Sequence, residues 1–118
     1  MYLERLSSVS RRIDGAVALT LVAADGMPIE SLSSAPDLDL EAVTAELVSQ
    51  ARTISHQQKE LSVGEVRQLT IAGDRMTFLL SSLGRGYWLL AALRPEANLG
   101  RARFELKRAT LLFDNDLD

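Results

Sequence analysis

The chain contains no cysteine and a single histidine among its 118 residues. The first absence excludes a disulfide scaffold, a thiolate metal centre and a cysteine nucleophile together. The second leaves little for imidazole-based metal binding or general base catalysis. A basic excess is missing too. Thirteen basic side chains stand against 16 acidic ones, a net charge of −3, whereas nucleic-acid binders normally carry a clear positive surplus. The longest apolar stretch, near Tyr87–Leu93, falls far short of the ~20 residues that span a bilayer. Charges as early as Glu4 and Arg5 argue against a signal peptide. Low-complexity tracts and internal repeats are absent. What remains is the balance of a globular domain, 47% hydrophobic and 25% charged residues, with enough length for one packed core. The expectation is a single cytoplasmic domain over residues 1–118.

The period of the apolar positions changes along the chain. From Tyr2 to Ile13, Leu3, Leu6, Ser10 and Ile13 share a helical face, flanked by Tyr2 and Val9, and Asp14-Gly15 ends the helix. Ala16–Val22 is almost continuously apolar, which predicts a strand covered on both faces. Asp25-Gly26 is a tight-turn pair leading into a weaker strand over Met27–Leu32, where Pro28 predicts a sheet edge. After the loop-like Ser31–Asp39, Leu40, Val43, Leu47, Ala51 and Ile54 form a stripe at three-and-four spacing. That stripe predicts a helix from about Leu40 to about Lys59, capped by Asp37 or Asp39. Three strands follow over Glu65–Ile71, Arg75–Leu83 and Tyr87–Leu93, joined by turns so short that they form an antiparallel meander. Asn98 is placed to cap a last helix with Leu99, Ala102, Leu106, Ala109 and Phe113 inward and Arg101, Glu105 and Arg108 outward.

Two strands apolar on both faces require helices on both sides of the sheet. The fold class is therefore α/β, a three-layer α/β/α domain with a five-stranded antiparallel sheet. One long helix covers one face and two terminal helices share the other.

Against that order, Gly15-Ala16-Val17 leading a strand into Ala24-Asp25-Gly26-Met27-Pro28-Ile29 resembles the opening of a roadblock (dynein light-chain-like) domain of the stand-alone prokaryotic type. The uninterrupted helix from Leu40, the meander around Ala72-Gly73-Asp74, and Leu99-Gly100-Arg101-Ala102-Arg103 entering the final helix extend the likeness over nearly the whole chain. These are turn and core patterns without a catalytic signature. The resemblance implies a non-catalytic homodimeric platform that binds a Ras-like small GTPase and modulates its nucleotide state, with no cofactor of its own. The alternative is a signalling or motor-complex adaptor without a GTPase partner.

Candidate chemistry is sparse. Gly84-Arg85-Gly86 imitates half of a dinucleotide fingerprint, but it lies between two strands with no helix after it, so a plain hairpin turn is expected. His56 has only Gln57 and Glu60 as local companions and reads as an exposed helical histidine. The aspartates of Asp114–Asp118 lack the glycine and closing glutamate of a calcium loop and read as a solvated tail. An enzyme would need converging titratable groups, and only scattered carboxylates such as Asp25 and Asp74 are on offer.

Surfaces say more. Ala42, Ala45, Ser49, Arg52 and His56 form a second stripe on the long helix, with Val48 at its flank. Exposed helix faces usually carry long charged side chains; small ones allow another helix to approach. The competing reading is that alanine simply favours helix. The Glu65–Ile71 strand is a candidate sheet edge with only Glu65 and Arg67 as charged guards. Joining two such edges across a twofold axis would make one continuous sheet and set the long helices side by side, as the family resemblance also implies. The expected dimer interface is Ala45, Val48, Arg52, Val66, Gln68 and Thr70. Partner contacts are expected at Ala42, Ser49, His56, Phe104 and Leu111. The last two lie off the core stripe of the final helix within a basic rim, either docking a protein or packing under the first helix.

Overall fold

A computed structural model describes residues 2–57 and 61–113. Among them, helix α1 (Tyr2–Arg11) is followed by β1 (Ala16–Val22), β2 (Pro28–Ser33), helix α2 (Leu40–His56), β3 (Gln68–Ala72), β4 (Thr77–Gly84), β5 (Tyr87–Leu93) and helix α3 (Leu99–Phe113). The five strands form one antiparallel sheet in the order β2-β1-β5-β4-β3. The two strands read as apolar on both faces, β1 and β5, pair at its centre. The strand carrying Pro28 lies at one edge, as a residue without a backbone donor requires.

The core is split by the sheet. Leu19, Leu21, Leu79, Leu89, Ala91 and Leu93 pack against Leu6, Val9 and Ile13 of the N-terminal segment and Ala102, Leu106, Ala109 and Phe113 of α3. On the other face, Val22, Leu80, Trp88 and Leu90 pack against Leu47, Val48 and Ala51 of α2. The three-layer arrangement follows directly from the alternation of side chains along β1, β4 and β5.

Local signals account for the ends of the elements. Asp39 caps α2, its Oδ1 accepting from Ala42 N–H at 3.1 Å. Asn98 caps α3 in the same way from Arg101 N–H at 2.9 Å. At the other end of α2, Gln57 N–H donates to Thr53 O at 3.0 Å. The expected continuation to Lys59 lies outside the described residues. Gly84-Arg85-Gly86 is the hairpin turn it was read as. Arg85 and Gly86 both hold positive φ, 57° and 86°, as a two-residue hairpin loop matched to strand twist requires. Gly86 has a second constraint, since a Cβ there would stand 2.9 Å from the Ala24 Cβ.

Several expectations need correction. Leu3 is exposed, and the buried positions of the first segment are Leu6, Val9 and Ile13. The helix closes at Arg11, with Ile13 carried inward by the turn that follows. Val48 does not flank the outer face of α2. It is wholly buried, one helical turn from Thr44 and Ala51, and belongs to the core. Glu105 does not face away from the core, being only 2% exposed. Strand β3 starts at Gln68, so Val66 precedes the strand instead of lying on it.

Candidate functional site

Three surfaces come out of this frame. The first is the outer face of α2, where Ala42, Ala45, Ser49, Arg52 and His56 are all exposed at three-and-four spacing. Ala42, Ala45 and Ser49 make a low ridge over the first turns, and Arg52 and His56 extend it toward the C-terminus. The neighbouring polar groups satisfy one another within the helix. Gln50 Nε2 donates to Glu46 Oε2 at 2.9 Å, and Thr53 Oγ1 donates to Ser49 O at 3.0 Å.

The second surface is the free edge of β3. Ser82 N–H donates to Arg67 O at 2.8 Å, and the register continues as Gln68↔Ser81, Leu69↔Leu80 and Thr70↔Leu79. Bonded and non-bonded pairs alternate along an antiparallel ladder, so the backbone groups of Gln68, Thr70 and Ala72 point away from β4. No strand covers them among the described residues. This edge and the long helix meet, because α2 packs against β3 and Val66 N–H donates to Ser55 Oγ of α2 at 3.1 Å.

The third surface is the solvent side of α3. Phe104 and Leu111 are 58% and 75% exposed, so neither packs under α1. On the buried side of the same helix lies Glu105, whose carboxylate is held by Arg101 Nη2 at 3.1 Å and Arg108 Nη1 at 3.7 Å. Its Oε2 lacks a partner with hydrogen-bond alignment, so the pairing with Arg101 is one of charge. Beside Phe104 an open groove of about 670 Å³ runs between α3 and the β3–β4 strands. Arg67 and Arg103 contribute to it, although the sequence placed Arg67 only as a guard of the strand edge and Arg103 only in the stretch entering the last helix. They are far apart along the chain, and the packing of α3 beside the β3–β4 strands brings them to one groove.

The catalytic candidates do not assemble. Asp25 turns its own carboxylate onto Met27 N–H at 3.0 Å in the β1–β2 hairpin. Asp74 lies in the β3–β4 hairpin, and strand directions put these two turns at opposite ends of the sheet. Among the described residues no group of three or more His, Asp or Glu side chains is placed to hold a metal ion. Glu60 and the Asp114–Asp118 tail lie outside them. No helix of the described residues is long and apolar enough to cross a membrane.

A Roadblock/LC7 domain model matches residues 2–93, from the first helix through the last strand. The chain belongs to the Roadblock/LC7 family. That membership marks it as a non-catalytic module. Solved Roadblock/LC7 structures share the fold. A domain from Streptomyces avermitilis superposes with a TM-score of 0.80 at 19% identity, covering 95% of this chain and 93% of that one. The gliding protein MglB of Thermus thermophilus gives 0.80 at 21% identity, over 92% of this chain and 82% of that one. MglB of Myxococcus xanthus gives 0.75 at 17% identity, over 94% and 90%. At such identities the likeness is one of fold. No curated protein matches the chain in sequence.

Proposed function

We propose that this Roadblock/LC7 chain acts as a homodimer that binds a Ras-like small GTPase and modulates its nucleotide state. Two incomplete surfaces carry the dimer. One is the unpaired strand edge (Gln68, Thr70, Ala72), which α2 reaches through Ser55 and Ile54. The other is the exposed α2 stripe of small residues (Ala42, Ala45, Ser49), on the side of the helix away from Ile54. Pairing two β3 edges about a twofold axis would satisfy the first, and a helix-to-helix contact through the small-residue stripe would satisfy the second. The outward backbone groups find partners, and the two α2 faces approach closely because no long side chain holds them apart.

The interface then centres on Ala45, Gln68 and Thr70, with Arg52 at its rim, where its guanidinium stays open to a partner. Val66 supports it from below through its bond to Ser55, and Val48 drops out because it is core. Ala42, Ser49 and His56 of both copies form the ridge offered to the partner. The family resemblance supplies the partner class, and the solved MglB structures share the platform's fold. Regulation on this reading is a shift of the GTPase's switch loops by a surface that favours one arrangement.

Ala45→Glu tests the dimer. It places a charge where two helices meet, and an uncompensated buried charge costs about 3 kcal/mol or more, roughly a hundredfold in dissociation constant. Light scattering on the wild type should give twice the chain mass at micromolar concentration. The variant should give the single-chain mass with its helical circular dichroism retained. A variant that stays dimeric, or a wild type that stays monomeric at high concentration, overturns the reading.

A further inference from the structure

The groove beside α3 has a character of its own. Its floor is formed by Gln68, Ser81 and Leu83 of the sheet, and one wall by Arg103, Phe104 and Lys107 of α3. Gln68, Thr70 and Ser81 lie on the face that α1 and α3 cover elsewhere. Over β3, however, nothing covers it among the described residues beyond Arg103, whose Nη2 donates to Thr70 Oγ1 at 3.3 Å. Arg67 adds a third cation at the mouth, and no carboxylate lines the groove. On a chain of net charge −3 this is a local reversal of sign. Phe104, 58% exposed, stands at its rim, and Leu111, 75% exposed, continues the same stripe two turns along.

We propose that this groove is a second docking surface and that it takes an acidic amphipathic segment of a partner protein. The segment would lie alongside α3, setting an apolar side chain against Phe104 and Leu83 and its carboxylates on Arg67, Arg103 and Lys107. Charge complementarity selects the occupant, because three cations around the groove repel basic segments, and a purely apolar segment would leave them desolvated and unpaired. The concave shape favours a narrow segment over a flat surface. A helix also completes the missing cover over β3, continuing the layer that α1 and α3 begin. The surface is formed within one chain, on the face of the sheet opposite α2, and so does not rest on the dimer or on a GTPase.

Phage-displayed random peptides of about 16 residues, long enough for a helix of about 24 Å, provide the probe. They are selected on the full chain, with counter-selection on a Phe104→Ala/Lys107→Glu double variant. Both substituted positions are exposed, and circular dichroism and thermal melting verify the fold of the variant. The recovered peptides are expected to carry an excess of Asp and Glu, with apolar residues at three-and-four spacing. They should bind the wild type at least ~10-fold more tightly than either single variant, as truncation of an interface anchor does, and weaken as salt rises. Ala45→Glu should leave their binding unchanged, which separates failure of the dimer from failure of the groove. Several results overturn the proposal. They are recovered peptides without acidic excess, equal affinity for wild type and both variants, or no groove-dependent peptide at all. Recruitment of the chain to vesicles one-third phosphatidylglycerol, without binding of acidic peptides, assigns the cations to a lipid surface and overturns it as well.

Discussion

Thr44 and Glu105 are the polar side chains whose burial most needs a physical account. Thr44 is fully buried on the sheet side of α2, and its Oγ1 has no hydrogen-bond partner. A threonine in a helix ordinarily bonds a carbonyl one turn back, and a buried hydroxyl without that bond costs roughly 1–3 kcal/mol. Valine has the same shape and no hydroxyl. Thr44→Val is therefore expected to raise unfolding stability by about 1 kcal/mol, read as an increase in the urea midpoint at unchanged slope. A decrease would mean that the hydroxyl is satisfied in solution. Glu105 is a different case. Its carboxylate is buried but stays within reach of two arginines whose side chains are 58% and 50% exposed. The arginine stems cover the carboxylate while their heads remain in water. Helical spacing alone put Glu105 on the outer side with Arg101 and Arg108. What it could not convey is that a short acidic side chain can sit under two long basic ones, and α1 packing beside α3 closes that site further.

Legibility of the elements followed the strength of their periodicity. β1 and β5, each entered from a glycine and almost continuously apolar, were readable to the residue, and both helix caps sat on the polar side chains that mark them. β3 was displaced from its expected start because Glu65 and Val66 carry the same weak alternation as the strand. Only the bond from Val66 to Ser55 shows that this stretch serves the approach to the sheet. Burial on α2 was misjudged by a rotation: Thr44 and Val48 share the inward face with Leu47 and Ala51, whereas Leu40, Val43 and Ile54 are half-buried. A polar Thr44 hid the true centre of that face. The outer stripe survived the correction, and so did the reading of β3 as an edge. The groove was half legible, through Phe104 and its basic rim on one helix, and its other half depended on how α3 packs beside β3. The β3 edge yields its own test. Thr70 N–H points away from β4, so proline at this position removes no bond within the chain's ladder. Thr70→Pro is expected to fold as a monomer, with a melting temperature that no longer rises with protein concentration as a dimer's does. Retained dimerisation would show that the two copies do not meet through this strand.

At the scale of the whole molecule, stoichiometry follows from symmetry. A twofold pair through β3 and α2 brings two copies of Ser49, Arg52 and His56 onto one ridge, and all three are exposed in the single chain. A GTPase is asymmetric and cannot satisfy two identical half-sites equally from one position. A single GTPase seated across the axis meets both copies and blocks a second, so the expected complex is two chains to one GTPase. Arg52 is the side chain on this ridge best suited to an acidic or phosphate-bearing surface, because its guanidinium presents five donors in a fixed fork. A charge-assisted contact of this kind contributes about 1.5–3 kcal/mol, so Arg52→Ala should weaken binding by at least ~10-fold while leaving the dimer mass unchanged. A platform that regulates must also bind one nucleotide state more tightly, since equal affinity for both shifts no population however tight the complex. Calorimetry with a Ras-like GTPase encoded by the same organism, loaded in turn with GDP and a non-hydrolysable GTP analogue, reads both quantities. The expected result is a ratio of two chains per GTPase and a preference of ~10-fold or more for the GTP-loaded form. Equal affinities would leave the dimer as a passive scaffold, and a one-to-one ratio would move the partner off the twofold ridge to a face that each chain offers separately.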